Sequence, residues 1–137
     1  MTGRLIGLLA LVAVGAIACS SSGRYSEADV ERAFATQGID LKVGTVGGRT
    51  LRKGGDVLLA SSSNSYFWVA VIHSNKQARS YYREYTDQKA PGTFDCLKGN
   101  VVTFSDEDLD DAHRRQVRAA LKALDPKAPA AECISGG

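Results

Sequence analysis

The residues best suited to acid–base chemistry in this chain are its two histidines. His73 follows a long apolar run and precedes Ser74, whereas His113 lies among charged residues further on. A histidine beside a serine is the pairing with which hydrolases activate a nucleophile. Adjacent residues rarely bring nucleophile and base face to face, and no nucleophile-elbow glycine pattern surrounds any serine. We therefore expect no catalytic residue. The alternative is an envelope hydrolase in which His73 works with a loop acid or with a serine from 61–65.

Metal and nucleotide sites have weak support. Neither histidine has a second histidine or cysteine at the spacing of metal ligands. The acidic run at 106–111 lacks the alternating ligands, central glycine and closing glutamate of a calcium loop. The glycine-rich segment 44–55 matches neither the P-loop nor the dinucleotide fingerprint. We expect no metal and no cofactor.

The overall charge disfavours nucleic acid as a partner. A net charge of +2 gives too weak a field to gather a polyanion. Basic residues cluster twice, around Arg49 to Lys53 and around Arg114 to Lys122, without the aromatic strand motif or recognition helix of a nucleic-acid binder. We interpret both clusters as solvated surface.

Residues 1–18 have the order of an export signal. Arg4 supplies the positive charge, and residues 5–18 form an uninterrupted apolar run. A run of about 14 residues is shorter than the roughly 20 that span a bilayer as a helix. We expect a cleaved signal peptide.

The end of this signal resembles the bacterial lipobox. Ala16, Ile17 and Ala18 precede Cys19, and serines 20–22 follow as a short flexible spacer. The resemblance implies a cysteine that is diacylated on sulfur and holds the protein to the membrane on the extracytoplasmic side. Ala16 departs from the usual leucine, and the same triplet suits the ordinary signal peptidase. A freely secreted protein is therefore the alternative.

The cysteine count supports the lipidated form. An exported domain rarely leaves an odd thiol exposed to an oxidising compartment. If Cys19 carries lipid, Cys96 and Cys133 remain as a pair. We predict a disulfide between them.

Helical patterns predict three helices. The first covers about 27–37, with Ser26 as its N-cap and Gly38 as its stop. The second begins after Ser74, and the third is predicted to begin at Ser105 and to end before Pro126.

Strand patterns lie between these helices. Residues 39–43, 57–60, 66–72 and 101–104 are predicted strands. The segment 66–72 is apolar on both faces, which predicts the central strand of the sheet. The strand 101–104 is expected to lie parallel to it after a helical crossover. Residues 93–97 could add an edge strand, and 127–137 are predicted loop.

Together these patterns predict an α+β domain. We expect a two-layer sandwich of three helices and a small mixed or antiparallel sheet over 26–137, behind a lipid-anchored tether at 19–25. The mature part is similar to small, uncharacterised bacterial lipoprotein domains. The predicted function is a non-enzymatic, membrane-tethered envelope protein that binds an unidentified envelope protein or small ligand.

Overall fold

The computed structural model describes residues 23–62, 67–87, 93–105 and 109–135. The helices are α1 (Glu27–Ala35), α2 (Asn75–Asp87) and α3 (Asp111–Leu124). The strands are β1 (Leu41–Val43), β2 (Thr45–Val46), β3 (Arg49–Thr50), β4 (Arg52–Lys53), β5 (Asp56–Ser61), β6 (Phe67–Val71), β7 (Phe94–Lys98), β8 (Val101–Ser105) and β9 (Glu132–Ser135).

A seven-stranded sheet organises the domain. Its strands follow the order β1-β5-β6-β8-β7-β9, and the short β4 also pairs with the beginning of β5. Every pair in it is antiparallel. The strands β2 and β3 form a separate two-stranded hairpin. The α+β class is confirmed.

The central position predicted for the strand at 66–72 is also confirmed. β6 pairs with β5 on one side and with β8 on the other. Phe67, Val69 and Val71 join one buried cluster, whereas Trp68 and Ala70 join the other. The alternation follows from the period of two along a strand.

Helices cover both faces of this sheet. α1 and α3 pack in the cluster that contains Phe34, Leu59 and Leu121. α2 packs on the opposite face through Ala78 and Tyr82. The predicted two-layer arrangement is therefore not confirmed, because a strand that is apolar on both faces needs a covering layer on each face. The predicted small sheet is not confirmed either, since the sheet has seven strands.

The predicted parallel pairing of the strand 101–104 is wrong. β8 runs antiparallel to β6. The crossover through α2 leads instead to β7, which returns as a hairpin with β8 through the turn Gly99–Asn100. β8 thus lies between β6 and β7, and the segment predicted as an edge strand has a neighbour on each side.

The N-termini of the helices agree with the sequence except in α3. Ser26 caps α1 in a capping box with Asp29, and the Ser74 hydroxyl accepts the Gln77 N–H at 3.1 Å. α3 begins after Asp110, not at Ser105. The Ser105 hydroxyl is buried and accepts the Phe94 N–H at 3.1 Å. It therefore extends the β7–β8 pairing and is not available to cap a helix.

The predicted C-terminal loop contains an edge strand. β9 pairs with β7 so that Cys133 lies directly opposite Cys96. Their Cα atoms are 4.1 Å apart and their sulfur atoms are joined. This is the pairing that the cysteine count predicts, and it ties the last strand to the sheet.

Candidate functional site

A cleft lies at one end of the sheet, where α1 begins and β6 ends. Its volume is about 580 Å³, within the range of small-ligand sites. The polar and charged residues that line it include Arg24, Glu27, Arg52, Lys53, Asp56, His73 and Asn100.

The hairpin of β4 and β5 forms one side of the cleft. Lys53 pairs with Asp56 across a two-residue turn. Gly54 and Gly55 make this turn with φ of 61° and 88°, the left-handed conformation that a type I′ hairpin requires at both positions. The turn thus sets a cation and a carboxylate side by side at the mouth of the cleft.

Arg52 and Glu27 close the cleft on the side of α1. The two guanidinium nitrogens of Arg52 donate to the two carboxylate oxygens of Glu27, each at 2.6 Å. This bidentate pair raises the pKa of Arg52. Because the two charges neutralise each other, this ion pair forms part of the cleft wall and leaves no free charge for a ligand.

Arg24 and Lys53 add two positive charges that form no ion pair among the described residues. Both side chains are exposed. Within the part of the chain that the structure describes, neither has a carboxylate partner. A cleft with two such cations favours a carboxylate or phosphate ligand.

His73 lies beside the same turn. Its Nδ1 and its backbone nitrogen each lie 2.7 Å from Oδ1 of Asp56. A carboxylate oxygen accepts, so Nδ1 carries the proton in this bond and Nε2 is the nitrogen left for another group. A Cβ on Gly55 would meet the His73 Cβ at 3.2 Å. The glycine therefore lets the His73 Cβ lie close to the turn.

Asn100 holds the floor of the cleft. Its side chain is buried, accepts the Tyr25 N–H at 2.6 Å and donates to the carbonyls of Tyr25 and Ile72, both at 2.9 Å. Its backbone N–H donates to Gly23 at 3.1 Å. Residues 23–25 of the predicted tether are thereby bound to the folded domain.

The structure does not bring the alternative hydrolase residues together. Ser61 ends β5, whereas Asp56 and His73 lie at the other end of that strand. The hydroxyl of Ser62 donates to Asp40 at 3.4 Å, and residues 63–65 lie outside the described part of the chain. The acid that meets His73 is Asp56.

The other predicted sites are distant from the cleft or outside the described residues. His113 bonds to Asp110 at the start of α3. In the described ranges, no group of three or more potential ligands could hold a metal ion, and no helix is long and apolar enough to cross a membrane. The predicted signal peptide and Cys19 precede residue 23, outside those ranges.

Sequence reasoning missed the cleft because its residues are distant in the chain. It interpreted Arg52 and Lys53 as solvated surface, and it assigned no role to Arg24 or Asn100. The paired glycines at 54–55 are a hairpin signal that could have placed Lys53 beside Asp56. Nothing local links Asn100 to Tyr25.

Comparison with known proteins gives no relative from which a function could be transferred. No family model, no curated protein and no solved structure matches the chain. The cleft is therefore interpreted from its own chemistry.

Proposed function

We propose that this chain is a non-enzymatic lipoprotein of the bacterial cell envelope. Cys19 carries the lipid that holds it to the extracytoplasmic side of the membrane, and the cleft binds a small anionic ligand. The observation that carries the ligand class is the presence of two exposed cations, Arg24 and Lys53, at a cleft of small-molecule size, neither with a carboxylate partner in the part of the chain that the structure describes.

Two features support the anchor. The N-terminal pattern has a charged start, an apolar run and small residues before Cys19. The remaining cysteines, Cys96 and Cys133, are paired with each other, so Cys19 is the cysteine left for another modification. Two acyl chains give stable membrane attachment where one gives only marginal binding.

Titration with inorganic phosphate tests the ligand class. Backbone amide signals of residues 53–56 are followed by NMR as phosphate is added to the mature chain. Arg24→Gln and Lys53→Gln are each expected to weaken binding about tenfold, the order of one charge-assisted hydrogen bond. Lys42→Gln is the matched control, since Lys42 lies in β1, outside the cleft. Equal effects at Lys42 and Lys53, or no shift of these amides, would refute the assignment.

A second candidate function has one observation in its favour. The hydrogen bond between His73 and Asp56 holds the imidazole in the tautomer and orientation that a general base needs, with water as the nucleophile. In this hydrolase His73→Gln abolishes turnover of ester substrates. If the protein is instead a binding domain, His73→Gln hydrolyses esters no more slowly than the parent protein does, and it still binds phosphate.

A further inference from the structure

The path of the chain brings one end of the domain close to the proposed anchor. Gly23 accepts a hydrogen bond from the Asn100 N–H, so the folded part begins at the cleft end of the sheet. Three residues lie between Cys19 and Gly23, and the four residue-to-residue steps from Cys19 to Gly23 reach at most about 14 Å when fully extended. A domain of this size has a radius of gyration of about 13 Å. The opposite end of the sheet therefore cannot turn to a membrane that holds Cys19.

Free cations collect at this same end. Lys76 lies in the first turn of α2, three residues after His73. Lys127 lies two residues after Asp125, whose carboxylate accepts the Tyr25 hydroxyl. Both lysines are exposed, and in the described ranges neither has a carboxylate partner, as with Arg24 and Lys53.

The opposite end of the domain carries acids. Asp40 follows the turn after α1, Asp87 ends α2, and Asp110 caps α3. Hydrogen bonds from the backbone and ring of His113 lower the pKa of Asp110, which keeps that carboxylate ionised. The cleft end has acids as well, but Glu27, Asp56 and Asp125 are bound by Arg52, His73 and Tyr25. The cations that have no carboxylate partner among the described residues therefore lie nearest the point where the anchor segment leaves.

We propose that the cleft end of the domain lies on the membrane surface, where Arg24 and Lys53 bind the phosphate groups of anionic phospholipids. This inference rests on the proposed function and names its ligand. A lipid phosphate is favoured over a soluble one because the limit of about 14 Å keeps the cleft end of the domain, where Arg24 directly follows Gly23, on the side of the lipid headgroups. Because the lipid at Cys19 holds the domain at the membrane, Arg24 and Lys53 are exposed to a high effective concentration of lipid phosphate.

Lysine acetylation of the intact lipidated protein tests this orientation. The protein is reconstituted in phosphatidylcholine vesicles with or without phosphatidylglycerol, treated briefly with an amine-acetylating reagent and analysed by peptide mass spectrometry. Lys53, Lys76 and Lys127 should be protected only in the vesicles that contain phosphatidylglycerol, and high salt should remove the protection. Lys42, exposed at the other end of the sheet, should react equally in both vesicles.

A binding measurement on the unlipidated chain complements it. For the chain from residue 19 with Cys19→Ser, Lys53→Gln should lower partitioning into phosphatidylglycerol vesicles about fivefold, the effect of one basic residue near an anionic surface. Lys42→Gln should leave it unchanged.

The outcomes separate the two proposals. If Lys53 is as reactive as Lys42 on anionic vesicles while inorganic phosphate still shifts the amides of residues 53–56, the membrane orientation is wrong and the anion-binding function stands. If phosphate produces no shift either, the proposed function is wrong as well. Protection of Lys53 in the vesicles that contain phosphatidylglycerol, and not in those without it, supports the orientation.

Discussion

Asn100 fixes Tyr25 in place by hydrogen bonding to both its N–H and its carbonyl, at 2.6 and 2.9 Å. The two residues are 75 positions apart in sequence, and the contact ties the segment that follows the proposed anchor to the sheet. Residues 23–25 are consequently part of the folded domain.

Removal of the Asn100 side-chain amide should loosen residues 23–25. Asn100→Ala leaves the backbone groups of Tyr25 and Ile72 without partners, and each such buried group costs about 1 to 3 kcal/mol. We expect a loss of about 3 kcal/mol in the free energy of unfolding, together with faster hydrogen exchange at Tyr25. Urea unfolding and hydrogen exchange by mass spectrometry measure both. The exposed Gln77→Ala variant should change stability by less than about 0.5 kcal/mol, and equal losses in the two variants would contradict the role of Asn100.

Substitution of the turn residue Gly99 should be more destabilising than substitution of Gly47, a glycine with a similar backbone conformation. Gly99 and Gly47 have nearly the same φ, 56° and 57°, but a Cβ on Gly99 would collide with the backbone of Gly23, whereas a Cβ on Gly47 meets nothing within 4 Å. Gly47→Ala should lose about 1 to 2 kcal/mol from backbone strain alone. Gly99→Ala should lose clearly more and should release residues 23–25. Thermal unfolding of both variants decides the matter, and similar melting temperatures would show that the contact with Gly23 is unimportant.

Loss of the bond between Cys96 and Cys133 should destabilise the domain substantially. The two cysteines are 37 positions apart, and closing a loop of that length contributes about 4 kcal/mol in the chain-entropy model. The double variant Cys96→Ala/Cys133→Ala should therefore unfold at much lower urea concentration than the parent. A thiol assay on denatured, unreduced protein checks the pairing itself. Reaction at Cys96 and Cys133 would mean that the bond does not form.

Alkaline pH should destabilise the protein through Tyr25. Burial, followed by the nearby Asp125 carboxylate that accepts its hydroxyl proton, raises the pKa of Tyr25 to about 12. The folded state keeps this proton, whereas an unfolded tyrosine loses it near pH 10. The contribution to stability is therefore complete below pH 10 and is lost as pH rises through 12. Chemical unfolding between pH 8 and 12 should show this decline, and Tyr25→Phe should flatten it. Burial also raises the pKa of Tyr82 to about 12, so a smaller decline should persist.

Local signals predicted the elements that depend on local physics. Capping serines marked the starts of α1 and α2, and two-sided apolar alternation marked the central strand β6. Ser105 shows where such signals fail, because a serine before acidic residues has the pattern of a cap while its hydroxyl extends a strand pair. The pairing of β8 with β6 and the strand β9 depend on long-range contacts that no local pattern encodes. The cleft is of the same kind, since Arg24, Lys53 and His73 meet only after the sheet forms.

The proposed function depends above all on a lipid at Cys19 that holds the domain at the membrane. Its most direct test is intact mass spectrometry of the protein isolated from the envelope of bacteria that produce it, with a Cys19→Ser variant as the control. The proposal predicts a mature chain that begins at Cys19, carries the added mass of a diacylglyceryl group and sediments with membranes, whereas the variant does not. A mature chain with an unmodified Cys19, recovered in the soluble fraction, would contradict it.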